Sequence, residues 1–328
     1  MKLLTILTMV ISTIANFQCS STQEKMVAAL YDREYSTKVI NQINSGFPIN
    51  QRIIYQNQES TLLHFAIEKK DINLAKLLIE KGANVNDLDS YGNTALMASI
   101  KYDLDELTEL ILKSNIDLNI KDKFGESAFT ICFSKRNINL RLLDLLLEKG
   151  ADINVKNTEG ENALFILIKR SALNKKEAFY YLLQNKINLK TENLEGNAII
   201  HEVSRYDNTQ DDPYYITEIV KKGENINRIS NNSYGTTVGH IAASENCINI
   251  LNYFIAQKGN INIKLKSTWD TPLTLASYWG HYQPCILLLK NRAKINETDK
   301  EGNTALSNAI KKGELNIIRI RVKESGAK

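Results

Sequence analysis

Four histidines are the first residues to consider for catalysis, because imidazole is the side chain most often used as a general base near neutral pH. They are His64, His201, His240 and His281. A nucleophilic mechanism would need a Ser, Cys or carboxylate at a recurrent spacing from one of them, and the sequence shows no such pairing. The pattern therefore favours a structural role for the histidines.

Cysteines and one acidic segment are the other candidates for chemistry. Cys132, Cys247 and Cys285 are an odd number of thiols without short spacing, which argues against a disulfide framework or a zinc site. We expect Cys132 and Cys285 to be buried as small apolar residues. The aspartates of segment 206–213 do not have the spacing of a calcium-binding loop, so we interpret this segment as a solvated insertion. No metal and no cofactor are predicted.

The beginning of the chain has the layout of a secretory signal peptide, which we assign to residues 1–18. Lys2 precedes an apolar stretch over residues 3–15, and polar residues follow. This stretch is too short to cross a bilayer comfortably. Cys19 offers a second route, acylation as in a bacterial lipoprotein, although Gln18 stands where the usual motif has Gly or Ala. We expect export to the periplasm, the cell envelope or the medium, with membrane attachment only through a lipid on Cys19.

The sequence pattern repeats about every 33 residues, and the repeated elements must position any functional residue. Gly92-Asn93-Thr94-Ala95-Leu96 returns as Gly302-Asn303-Thr304-Ala305-Leu306. Each such copy is followed by a Leu-rich run and a Gly-containing turn. A fixed period in this range predicts a stack in which one small unit is copied and neighbours bury each other's apolar faces. The copies start at eight anchor residues, namely Thr61, Thr94, Ser127, Asn162, Ala198, Thr237, Thr271 and Thr304.

These motifs resemble those of the ankyrin repeat family, over nearly the whole chain after residue 22. The tetrapeptides starting at Thr61, Thr237 and Thr271 match the family's Thr-Pro-Leu-His segment, and Gly150-Ala151-Asp152-Ile153-Asn154 matches its terminal turn. The resemblance implies an all-α solenoid in which each repeat has a β-turn finger and two antiparallel helices. It also implies that His64, His201 and His240 bond to neighbouring backbone.

The residues support this fold independently of the family. Leu74, Leu77 and Leu78 recur at helical spacing, with charged residues between them. Gly82, Gly150 and Gly223 follow such runs, where a left-handed C-terminal cap favours a residue without Cβ. We predict a degenerate capping repeat at 22–60, with 52–60 leading into the first finger, and an array of eight repeats at 61–328.

The resemblance also implies where a partner binds, because ankyrin proteins hold partners with the fingers and with two residues near the end of each first helix. The residues at these positions are Lys69, Tyr91, Lys101, Tyr102, Phe124, Lys135, Lys169, Arg170, Arg205, Tyr206, Tyr234, Tyr278 and Trp279. Six basic side chains from Lys69 to Arg205 would line one groove, which predicts an acidic partner surface. Trp269 departs from the pattern by taking the usual Gly position of a finger.

Composition limits the remaining possibilities. The net charge of +4 is too small for a dedicated nucleic-acid binder. We therefore predict a monomeric, non-catalytic scaffold that is exported and binds another protein through its groove and fingers. Two alternatives stay open: an intracellular ankyrin scaffold, and an enzyme with its site in an insertion. The second has little room, because no segment outside the repeats is long enough for another domain.

Overall fold

The computed structural model describes residues 22–206, 212–314 and 316. The predicted signal peptide, Cys19 and most of the acidic insertion lie outside these residues. The first helix of each repeat begins directly after its anchor residue. These helices are α3 (Leu62–Glu68), α5 (Ala95–Lys101), α7 (Ala128–Ile131), α9 (Ala163–Lys169), α11 (Ile199–Tyr206), α13 (Val238–Ser244), α15 (Pro272–Tyr278) and α17 (Ala305–Lys312).

Side-chain caps explain these starting points. The Thr61 and Thr94 hydroxyls accept the backbone N–H three residues later, which satisfies a donor that the helix leaves free. Thr271 and Thr274 form a reciprocal capping box at the start of α15. Helix α7 is short and continues as a 3-10 turn over Cys132–Ser134.

Each of the first seven repeats continues into a second helix. These helices are α4 (Ile72–Glu80), α6 (Asp105–Ile111), α8 (Leu140–Glu148), α10 (Lys175–Gln184), α12 (Tyr214–Lys221), α14 (Ile248–Ala256) and α16 (Tyr282–Lys290). Residues 22–30 (α1) and Tyr35–Asn44 (α2) form a further pair before the first anchor. Gly82 and Gly150 follow α4 and α8 with φ of +90° and +91°, as the sequence predicts.

A β-hairpin precedes the first anchor and was not predicted. Strand β1 (Ile53–Tyr55) pairs antiparallel with β2 (Gln58–Ser60), and Ile53 lies opposite Ser60. Gln56 and Asn57 form the two-residue turn with φ of +49° and +63°, as a tight hairpin turn of matching twist requires. The hairpin stands where later repeats have a finger.

The described chain forms two compact units. The first extends to Lys135 and includes Arg141–Asp152, so it contains α1–α7 and nearly all of α8. Its first helices α3, α5 and α7 pack in that order, and α4 packs on α6. Phe65, Phe129 and Phe133 are fully buried in it.

The second unit comprises Arg136–Leu140 and the described residues from Ile153 onward. Helices α9, α11, α13, α15 and α17 pack in sequence, and α14 packs on α16. Phe165, Phe179 and Phe254 are fully buried here. The prediction of an all-α fold of stacked helix-turn-helix repeats is confirmed, with the short hairpin as its one addition among the described residues.

Candidate functional site

The fingers that open at Asp89 and Asp122 are tight turns held by the side chain of their first residue. The Asp89 Oδ1 atom accepts the backbone N–H groups of Tyr91 and Asn93, both at 2.8 Å. Asp122 holds the N–H groups of Phe124 and Glu126 in the same way, both at 2.9 Å. A short acidic side chain can satisfy such a turn locally. The aromatic residue at the tip is thereby fixed with its ring exposed to solvent.

Neighbouring fingers within a unit are hydrogen-bonded to each other. In the first unit, the Lys123 N–H donates to the Tyr91 carbonyl at 3.0 Å. In the second, the Lys266 N–H donates to the Tyr234 carbonyl at 2.7 Å, and the Lys300 N–H donates to the Thr268 carbonyl at 2.9 Å. The finger tips of each unit therefore form a backbone-linked row rather than independent loops.

Lysines at the ends of first helices bind back to the fingers. Lys101 Nζ lies 2.6 Å from Asn93 Oδ1 and 3.0 Å from Asp122 Oδ2. Lys169 bonds to Glu161, and Lys311 Nζ lies 2.7 Å from Asn303 Oδ1. In all three repeats the lysine follows its finger partner by eight residues. These ammonium groups therefore hold helix and finger together.

Lys135 is also paired within the fold. Its Nζ atom lies 2.7 Å from Asp103 Oδ1 and donates to the Lys101 carbonyl at 2.9 Å. With Lys101 paired to Asp122 and Lys169 to Glu161, three members of the predicted basic row have acidic partners. The row therefore offers less free positive charge than the sequence predicts.

Arg170 and Arg205 in the second unit differ from these lysines. Arg170 is the exposed C-terminal cap of α9, and Arg205 is half-buried in the last turn of α11. Neither forms a salt bridge among the described residues. The side chain of Tyr206 lies outside the described part of the chain.

A groove in the first unit combines several predicted residues. It has a volume of about 370 Å³ and is lined by Tyr91, Tyr102 and Phe124, with Lys101 at its side. The carboxylates of Glu68 and Asp89 line it as well. Lys69 lies at the edge, with its Nζ 5.1 Å from the ring centre of Tyr55 and 5.7 Å from that of Phe65. A hydrogen bond to Tyr55 raises the pKa of Lys69.

A second aromatic surface lies in the second unit. The Tyr278 and Trp279 rings meet edge to face, with centroids 5.2 Å apart, and Trp279 is 58% exposed. Lys312 Nζ lies 4.4 Å from the Tyr278 ring centre, which is within cation–π range. Tyr278 and Trp279 line a groove of about 480 Å³. Its charged lining residues are Asp270, Asp299, Lys300, Glu301 and Lys311.

Trp269 occupies a backbone position that glycine takes in the other fingers. Gly92, Gly235 and Gly302 have φ between +65° and +83° there, and Trp269 has φ of +61°. A positive φ is unfavourable for a bulky side chain. Half of the Trp269 surface faces solvent. Lys264 and Lys300 each approach its ring to 5.9 Å.

The histidines bond to backbone carbonyls. Nε2 of His64 lies 2.9 Å from the Asn93 oxygen, that of His201 lies 3.0 Å from Arg228, and that of His240 lies 3.1 Å from Ile263. Because a carbonyl only accepts, Nε2 carries the proton, and Nδ1 of His201 and His240 accepts a backbone N–H. Burial lowers the pKa of His201 and His240 to about 4. These imidazoles are neutral structural links between repeats.

The three described cysteines are buried free thiols. Burial raises the pKa of Cys132 to about 12 and that of Cys285 to about 11, so both remain protonated at neutral pH. Within the described residues no cluster of His, Cys, Asp and Glu could hold a metal ion. None of the helices described is long and apolar enough to cross a membrane.

Sequence reasoning missed the acidic members of the first-unit groove and the finger-binding role of the lysines. Glu68 directly precedes the predicted Lys69, and Asp89 opens a predicted finger. The eight-residue spacing from Asn93 to Lys101 could have revealed the lysine role, because it recurs between Glu161 and Lys169. The groove itself depends on how repeats are packed, which spacing does not show.

Comparison with known proteins bears directly on this architecture. A family model described as ankyrin repeats (3 copies) matches residues 25–122, 102–193, 207–299 and 240–328. The crystal structure of the ankyrin repeat domain of Bcl-3 superposes with a TM-score of 0.54 at 17% identity, covering 66% of this chain and 94% of that domain. At this identity the superposition shows the fold alone.

Curated relatives match over parts of the chain. A putative ankyrin repeat protein of fowlpox virus, FPV034, is 32% identical over 104 residues, which are 31% of this chain and 24% of that protein. Alpha-latrotoxin-Lhe1a of Latrodectus hesperus is 32% identical over 145 residues, which are 44% of this chain and 10% of the toxin. The chain thus spans a quarter or less of these two relatives. Since the family model covers well over half of the chain, this protein belongs to the ankyrin repeat family.

Proposed function

We propose that this protein is a non-catalytic scaffold that binds another protein through its fingers and the ends of its first helices. The observation that carries this proposal is the position of the exposed aromatic residues. Tyr91, Phe124 and Tyr234 lie at finger tips, and Tyr102 and Trp279 end first helices. Aromatic side chains that solvent reaches, held on rigid elements, are the residues that dominate the energetics of protein interfaces.

The acidic partner surface predicted from the basic row is best supported at Arg170 and Arg205. Both guanidinium groups are free of salt bridges among the described residues, whereas Lys101, Lys135 and Lys169 are paired with their own acids. An arginine fork binds a carboxylate in bidentate geometry. A partner carboxylate near these arginines would form the salt bridges that they lack among the described residues.

Reversing both charges, in the variant Arg170→Glu and Arg205→Glu, should slow association with a protein captured by affinity purification. The expected decrease is about tenfold at low salt and smaller at high salt, because steering by exposed charge is screened by ions. Surface plasmon resonance at two salt concentrations measures it. The control is Lys290→Glu, which reverses an exposed charge at the end of the second helix α16. Equal association rates for the double variant and the wild type would contradict the acidic-partner proposal.

The proposed cellular setting is export. It is supported by Lys2 and the apolar stretch at 3–15, with Cys19 as the residue for a lipid. Fractionation with N-terminal sequencing should find a chain that starts after Ala15 or at Cys19. Cys19→Ala should release the protein from membranes if Cys19 is acylated. An uncleaved chain in the cytosolic fraction would favour the intracellular scaffold instead.

A further inference from the structure

The groove of the first unit has the chemistry of a receptor for positive charge. Tyr91, Tyr102 and Phe124 line it, and the acidic residues Glu68 and Asp89 line the same space. The negative face of an aromatic ring attracts a cation, and a nearby carboxylate adds an attractive charge. The aromatic and acidic residues of this groove are therefore complementary to a basic side chain.

The positive charge next to this groove does not cancel its acids. Lys101 also lines the groove, but its ammonium group is matched by the buried carboxylate of Asp122 at 3.0 Å. Glu68 forms no salt bridge among the described residues. Asp89 accepts hydrogen bonds from Tyr91 and Asn93, which fix its position without adding a positive charge. With Lys69 at the edge included, the acids Glu68, Asp89 and Asp122 outnumber Lys69 and Lys101, so the groove keeps a net negative charge.

The fold already places one cation on two other rings of this groove. Lys69 Nζ lies 5.1 Å from the ring centre of Tyr55 and 5.7 Å from that of Phe65, and both rings line the same groove. Burial raises the pKa of the Tyr102 hydroxyl, and the carboxylates of Glu68 and Asp89 raise it further. Both acids therefore act electrostatically on Tyr102.

We propose that the first-unit groove binds an arginine or lysine side chain of a partner peptide segment between Tyr91, Tyr102 and Phe124, with Glu68 and Asp89 as its counter-charges. This inference rests on the proposed protein-binding function and specifies the partner chemistry for this groove. A partner carboxylate is disfavoured here, because it would lie against two acids. The first-unit groove thus favours a basic partner segment, whereas the surface at Arg170 and Arg205 of the second unit favours an acidic one.

Titration of the full chain with the peptides Gly-Ser-Xaa-Ser-Gly tests the proposal, where Xaa is Arg, Lys, citrulline or Glu. Citrulline matches arginine in shape and lacks its charge. We expect saturable amide shifts at Tyr91, Tyr102 and Phe124 in NMR spectra with the Arg and Lys peptides, and at least about tenfold weaker binding of citrulline and Glu. No saturable shift up to about 10 mM Arg peptide, or equal binding of citrulline, would overturn the proposal.

Two variants separate a specific site from nonspecific attraction. Tyr102→Ala and Glu68→Gln should each lower the affinity for the Arg peptide by about tenfold, with unchanged circular dichroism spectra and melting temperature. Tyr180→Ala, which removes an exposed ring on the second helix α10, should leave Arg-peptide binding unchanged. Loss of binding in Tyr180→Ala but not in Tyr102→Ala would refute the site. If Trp279→Ala weakens a protein partner while no peptide binds the first unit, the scaffold function stands and only this inference fails.

Discussion

The free energy of unfolding should fall by about 2 kcal/mol less between pH 7 and pH 5 in the variant His240→Thr than in the wild type. Burial holds the pKa of the His240 imidazole at about 4, whereas an unfolded histidine titrates near 6.5. Between these values the unfolded chain binds a proton that the folded chain does not. The free energy of unfolding therefore falls as the pH falls through this range, and the full stability is present above about pH 6.5.

The geometry at His240 explains why protonation is resisted. Nε2 already donates to the Ile263 carbonyl, and Nδ1 faces the backbone N–H and the hydroxyl of Thr237. A second proton on Nδ1 would point at that backbone N–H in a buried site, where the charge also has no water around it. His201 is held in the same way, with Ala198 donating to its Nδ1, and its pKa is also about 4. The two effects should add, since the residues lie in different repeats.

Threonine is the matched replacement because the chain itself uses it at this position. In the next repeat Thr274 forms a capping box with Thr271. The variant His240→Thr should be less stable than the wild type at pH 7, and the difference should shrink towards pH 5. Urea unfolding followed by circular dichroism at several pH values measures it. Carboxylates such as Glu202, whose pKa burial raises, are common to both proteins. A difference independent of pH would show that His240 does not titrate as proposed.

The sequence was sufficient for the repeat architecture because its signals are local. Thr94 and Thr271 each cap the helix that begins at the next residue, and the glycine after α4 has the positive φ that its position predicts. Each of these interactions spans only a few residues, so it can be predicted from the spacing of residues along the chain. The histidine contacts followed only from the family resemblance, since their carbonyl partners lie in the next repeat.

The binding surface was less predictable because its chemistry depends on contacts between fingers and helices. Lys101 was predicted as a groove cation, but its partner Asp122 comes from the following finger. Glu68 was not among the predicted binding residues, and it lines the same groove as Phe124. A residue's charge is evident from sequence, but whether another residue neutralises it depends on the packing of repeats. The hairpin at β1 and β2 escaped prediction because neither strand has more than three residues.

Truncating Trp279 to Ala should raise the dissociation rate of a bound partner protein more than any charge substitution proposed above. If Trp279 is part of the interface core, the expected loss is about 1–4 kcal/mol, or roughly 5- to 1000-fold in koff. The ring is 58% exposed and already held by its edge-to-face contact with Tyr278. Because this contact already restricts the ring, less side-chain entropy is lost when a partner binds.

Tyr278→Ala should have a smaller effect of the same sign, since it removes the ring that orients Trp279 and the site of the Lys312 cation–π contact. The matched control is Tyr180→Ala, which deletes a similarly exposed ring on the second helix α10. Surface plasmon resonance with the captured partner gives koff, and melting temperature verifies that each variant is folded. An increased koff for Tyr180→Ala with none for Trp279→Ala would place the interface on the second helices. The finger and first-helix assignment would then be wrong, because exposed aromatic area alone would not distinguish the two faces.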